Sequence, residues 1–233
     1  MRLLDNTRRL LATLACAAVC TASHANRSRL DDEDAAKRGD CEIELATARQ
    51  TARGADAEHE TAVELDCGIG WRTELVAALG RQRSAGERAE SVDLEARTAL
   101  LDRGSSGIAW ALSYGASAER GAGDPWRRSA HFVALEANWR LADIWVVEGR
   151  LGWRRDELER REMRLWTLAV EHEISERLEA RVEVEGDSRS RPLASIELRF
   201  EFWPDRARLN LSYAARSGPT HERRPGVGVT FEF

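Results

Sequence analysis

Histidine, cysteine and serine are the side chains from which catalysis or metal binding would be built. Their spacing here supports neither. His59, His131, His172 and His221 are scattered along the chain. No Cys-x-x-Cys and no His-Glu-x-x-His occurs, so no metal-ligand set is predicted. A hydrolase would need a serine beside a histidine, with a carboxylate or amide to orient the ring. Ser129 and His131 share a face only if a strand begins early, and Glu136 then lies on the opposite face. No glycine-rich phosphate loop is present. The sequence predicts no catalytic residue, no metal and no cofactor.

The informative chemistry is in the charges. They make up 32% of the 233 residues, with 35 basic and 40 acidic side chains and a net charge of −5. All but one of the basic residues are arginine, Lys37 being the single lysine. A net acidic chain is a poor nucleic-acid binder. Past residue 40 the charges fall at every second position. Glu64, Glu95, Arg97, Glu148, Arg150, Arg181, Glu183, Glu197, Arg199 and Arg208 form one charged face together with Asp66, Glu74, Asp93, Glu136, Arg154 and Glu201. Opposite charges on neighbouring strands pair laterally. Two readings of this face stay open: a charged pore that orders solutes, or an ion-pair network that fills a narrow interior.

The elements that must carry such a face are β-strands. Val63, Leu65, Cys67 and Ile69 alternate with Glu64 and Asp66, and Ile196, Leu198, Phe200 and Phe202 with Glu197, Arg199 and Glu201. A period of two puts one set on each side of a sheet. Twelve such segments begin near residues 41, 58, 74, 89, 107, 130, 144, 162, 177, 193, 206 and 225. The eighth is the least clean: Trp166, Leu168, Val170 and His172 share a face, but Leu165 and Ala169 blur the other, and a helix competes there. Short connections are expected near 70–73, 102–106, 140–143, 174–176 and 203–205. Longer ones are expected near 50–57, 84–88, 120–129, 155–161, 186–192 and 216–224.

Residues 1–25 read as a secretory signal. Arg2, Arg8 and Arg9 precede the apolar run Leu10 to Ala22, which is too short to span a bilayer as a helix. Its removal would leave 32 basic and 39 acidic residues, a net of −7. Residues 26–40 are a polar, flexible lead-in, and residues 41–233 form the β domain.

A soluble barrel or sandwich would bury the apolar face, whereas a transmembrane barrel turns it to lipid. The even strand number, segments of about 9–11 residues, and Trp71, Trp139, Trp145, Trp153 and Trp203 near strand ends favour the membrane barrel. The fold class predicted is therefore an all-β, transmembrane, antiparallel up-and-down barrel. The alternation continues to Phe231 and Phe233, which resembles the closing strand and assembly signal of bacterial outer-membrane barrels. The segments Leu65 to Leu75, Glu185 to Pro192 and Pro204 to Leu209 resemble the proteobacterial barrels grouped with the phenol-degradation meta-pathway proteins. That resemblance implies an outer-membrane location and passage of small, often aromatic, molecules. Outer-membrane lipids and the barrel-assembly machinery are the partners expected, with no nucleic acid. A narrow channel is the leading reading, and a non-conducting structural or surface-recognition barrel the alternative.

Cys41 and Cys67 lie on apolar faces of the first two segments. A hairpin centred on Gly54 sets Cys41 opposite Cys67, Ile43 opposite Leu65, Leu45 opposite Val63 and Thr47 opposite Thr61. Opposite residues come within disulfide range, and the periplasm is oxidising. A disulfide is predicted.

Overall fold

The computed structural model describes residues 39–101, 107–142, 144–218 and 221–233. The predicted signal segment, and the lead-in up to residue 38, lie outside the described residues. The twelve strands are β1 (Cys41–Gln50), β2 (Glu58–Gly70), β3 (Thr73–Ser84), β4 (Glu87–Leu101), β5 (Ile108–Gly121), β6 (Arg127–Arg140), β7 (Trp145–Asp156), β8 (Arg161–Ser175), β9 (Leu178–Asp187), β10 (Leu193–Trp203), β11 (Ala207–Arg216) and β12 (Glu222–Glu232). Each pairs antiparallel with its sequence neighbours, and β1 pairs with β12, so the sheet closes into a barrel. Closure leaves no unpaired edge.

The alternation decides which way the sheet is turned. Leu79, Leu94, Leu151 and Leu168 are more than half exposed, and Leu45, Val63, Leu65, Leu112, Ile196, Leu198 and Leu211 are exposed with them on the outside. Inside lie Glu64, Asp66, Asp93, Arg97, Glu136, Glu148, Arg181 and Glu183, all buried. A soluble barrel would have the opposite polarity, because apolar surface is removed from water first. Here the exterior is solvated only if it meets lipid. Aromatic side chains stand at both rims. Trp71, Trp139, Trp145 and Trp203 are exposed near one end, and Trp145 stacks on His172 at 4.0 Å. Trp126 is exposed near the other, with the Arg120 guanidinium 4.7 Å from its ring. Amphipathic rings and cations favour the headgroup level.

Segment eight is a strand throughout, not a helix: Trp166, Leu168 and Val170 face outward, opposite Gly186, Val184 and Val182 of β9. Two connections differ from expectation. The link expected to be long over 84–88 is a two-residue turn, Ala85-Gly86, with φ of 46° and 86°. Two successive positive φ values give the tight hairpin geometry that matches strand twist. The link expected to be short over 102–106 has six residues between Leu101 and Ile108. The last strand starts at Glu222, three residues before the position expected. Pro225 falls opposite Arg49 of β1, and its missing N–H interrupts the β1–β12 ladder between Ala48↔Gly226 and the bridge Thr51↔Arg223, close to the strand end where such a gap is tolerated.

The β1–β2 register is the one predicted, including Cys41↔Cys67. The two form a disulfide, with Cα atoms 4.2 Å apart. The neighbouring pair is bonded through Gly68 N–H to Asp40 O, so the cysteines occupy a non-hydrogen-bonded pair, where side chains approach most closely.

Candidate functional site

All ten charged residues predicted to line the interior project into it. They are held in ion pairs or other polar contacts. Lateral pairing between adjacent strands explains only part of the network. Several pairs reach over an intervening strand. Arg97 on β4 meets Glu136 on β6 at 2.7 Å, above Ser113 and Ala111 of β5. Arg181 on β9 meets Glu148 on β7 at 2.7 Å, above Ala169 of β8. Arg199 on β10 meets Glu171 on β8 at 3.4 Å, and Arg208 on β11 meets Glu42 on β1 at 3.2 Å. Arg224 on β12 bonds Glu60 on β2 across Ala48 of β1. Arg150 on β7 goes further, to Glu95 on β4 at 3.3 Å, while also meeting its lateral neighbour Glu136 on β6 at 3.4 Å. Ser113, Ala111, Ala169 and Ala48 at bridged positions make room for these long side chains, whereas beneath the Arg199–Glu171 pair stand Glu179 and Arg181, which join the same cluster. Among the described residues the buried carboxylates number ten and the buried arginines five, so the lumen is acidic.

Among the described residues, two cavities between these side chains bear on function. The larger, about 130 Å³, lies against β1, β2 and β9–β12. Six carboxylates line it, among them Glu44, Glu64 and Glu197, against the single guanidinium of Arg224. Its space comes from small inward residues. At Gly228 a Cβ would stand 2.9 Å from the Glu44 carboxylate, and at Gly226 one would stand 2.6 Å from the Ser212 hydroxyl. The smaller cavity, about 90 Å³, opens at the rim of β7, β9 and β11 that carries the connections after Asp156, Asp187 and Arg216. Arg150, Arg154, Arg191 and Arg216 line it, with Glu185 and Asp187, and Phe132 and Leu165 give it an apolar wall. The Phe132 ring lies over Gly115, where a Cβ would come within 2.4 Å of it.

The cavities and the inward Phe132 were not identified from sequence. Glycine and alanine carry no polarity signal, so their inward positions are visible only once registers are known. Ser129 and His131 do not form a catalytic pair. Ser129 is the extra residue at an irregularity between β5 and β6 and is buried. His131 lies 3.1 Å from Glu157 and 5.4 Å from the Trp153 ring. Among the described residues no group of His, Cys, Asp and Glu converges as a metal site. Phe231 and Phe233 are exposed on the outer face, and the Phe233 backbone exchanges two hydrogen bonds with Cys41.

A closed twelve-stranded wall, an apolar exterior with aromatic rims and a charged interior define a transmembrane β-barrel of the bacterial outer-membrane type. Residues 11–210 match the family described as "Uncharacterised conserved protein UCP029691", and the chain belongs to that family. No curated protein gives a significant match. Solved structures agree on the fold at low identity. The chain resembles the KdgM porin with a TM-score of 0.61 and 12% identity, over 82% of this chain and 99% of that one. It resembles the translocator domain of the autotransporter NalP from Neisseria meningitidis with a TM-score of 0.59 and 14% identity, over 98% of each chain. It also resembles the NanC porin, with a TM-score of 0.59 and 11% identity, over 81% of this chain and all of that one. These neighbours are porins and a translocator, not enzymes.

Proposed function

We propose that the barrel is a narrow outer-membrane channel for small molecules, with the second-neighbour ion pairs as its constriction. The observation that carries this reading is the pair of cavities left between charged side chains: a scaffold evolved only for stability would fill them. The porin fold supports the same reading. A solute with an aromatic ring fits the resemblance to the phenol-degradation meta-pathway barrels and the apolar wall at Phe132. The second reading, a non-conducting barrel, rests on the ion pairs themselves, since Arg150 reaches three strands across the lumen to Glu95. We further propose Phe231 and Phe233 as the outward aromatic signal read by the assembly machinery, the proposed signal segment having delivered the chain to the periplasm.

Planar-bilayer recording of the refolded protein tests the channel. Small, stable conductance steps are expected, with a reversal potential in a KCl gradient shifted towards K⁺, because buried carboxylates outnumber buried arginines. A silent membrane, with correctly folded protein inserted, would establish the ion-paired scaffold instead.

A further inference from the structure

We propose that the cavity beside Arg154 is a binding site for a small organic carboxylate carrying an apolar or aromatic body. The site deepens the channel reading by naming a class of solute for its outer mouth.

Arg154 is the exception among the buried arginines. Arg97, Arg181, Arg199 and Arg224 each contact at least one carboxylate. Arg154 is only 8% exposed, yet it has no ion pair or hydrogen bond with any described residue, and its buried Nε–H has no acceptor. Its register neighbours are Phe132 and Met163, neither of which offers it an oxygen acceptor. A buried guanidinium without a partner is costly, and such groups are retained where they serve a ligand.

The rest of the cavity narrows the choice of ligand. Arg150 is already held by Glu95 and Glu136, and Arg216 by Glu222 at 3.1 Å. Asp187 is occupied by its own loop, accepting the N–H groups of Arg189 at 2.6 Å and Ser190 at 2.7 Å. Glu185 has its own partner, and Arg191 is exposed at the mouth. The planar fork of Arg154 is the buried donor that remains, and it matches the two oxygens of a carboxylate. Phe132 and Leu165 would meet the body of the molecule. An inorganic oxyanion, whatever it took from Thr167 and Arg191, would leave that apolar wall uncovered. About 90 Å³ accommodates several waters, or a single-ring molecule in their place. The acidic lumen beneath holds a bound anion at the outer end.

The test uses the refolded protein in detergent and 4-fluorobenzoate, followed by fluorine NMR. Saturable binding is expected, weakened ~10-fold or more in Arg154→Gln, the loss of one charge-assisted hydrogen bond or more. Arg154→Lys, which keeps the charge and loses the fork, should fall between. Neutral 4-fluorobenzyl alcohol should bind far more weakly, and inorganic phosphate should not displace the probe. Without probe, Arg154→Gln should melt no lower than the parent, since no internal partner is lost. Benzoate should raise the melting temperature of the parent alone. Unchanged affinity in Arg154→Gln, equal binding of the alcohol, displacement by phosphate, or a lower melting temperature for the probe-free variant would each overturn the proposal. Binding without conductance would leave this site standing and remove the channel. Conductance without binding would do the reverse.

Discussion

Arg181 is held by three carboxylates from three strands: Glu148 at 2.7 Å, Glu183 at 2.8 Å and Glu171 at 3.3 Å. The asymmetry of that cluster sets the cost of breaking it. Glu183→Leu leaves Arg181 two partners and should cost little. Arg181→Leu leaves the buried Glu148 and Glu183 without this guanidinium, Glu171 keeping Arg199, and should cost ~3–5 kcal/mol, measured as a lowered urea midpoint in lipid vesicles. Val182, next in sequence and 51% exposed on the outer face, gives the reverse test. Val182→Arg near the bilayer midplane should cost ~2–4 kcal/mol. A silent Val182→Arg would mean that the faces had been assigned the wrong way round. The inward direction of Arg181 and Glu183 was legible in the sequence because parity alone fixes it. Their partners were not, because Glu148 lies two strands away and that adjacency exists only once the sheet curls. Arg154 had the same inward parity as its neighbours, and its isolation is a property of the packed lumen.

At the scale of elements, tight turns carry the unexpected features. Ala85 holds φ of 46° at the first central position of the β3–β4 turn. An L-residue other than Asn or Asp is strained there. Ala85→Asn should therefore stabilise the hairpin by ~0.5–1 kcal/mol, seen as a raised unfolding midpoint with conductance unchanged. The length of this turn was misread because Ser84 to Arg88 has loop-like composition, and composition does not report φ. The β1–β2 hairpin was read correctly because two cysteines and three apolar or threonine pairs all satisfy one register. Its disulfide closes a loop with a sequence separation of 26. Replacing Cys67 by Ser should cost about 3 kcal/mol. Mass spectrometry of the unreduced parent protein should find no alkylatable thiol at Cys41 or Cys67. In β8, inward Leu165 and Ala169 obscured the alternation, because Leu165 walls the smaller cavity and Ala169 lies beneath the Arg181–Glu148 pair, where a long side chain has no room.

The whole molecule is a polar interior wrapped in an apolar skin, so its folded state depends on both phases at once. Unboiled detergent extracts should migrate differently from boiled ones on a gel, and the protein should sediment with membranes. A soluble product with no heat-dependent shift would contradict the exposed leucine band. Strand number, direction and facing were all legible, since each follows from a period of two repeated along one chain. Closure of β12 onto β1 was implied only by the even count, and the residual cavities were invisible at that level.

The arginine–glutamate pairs that skip a strand have a geometric consequence. A contact between second neighbours is a chord beneath the strand it skips, and a chord of fixed length sets the bend of the wall above it. Twelve strands share a full turn, about 30° at each. One more hairpin would relax that to about 26°, lengthening every chord at once. Pairs at 2.7–3.4 Å tolerate little stretching before they cease to be hydrogen bonds. The charges inside the barrel thus act as a gauge of circumference, favouring this number of strands over a neighbouring one.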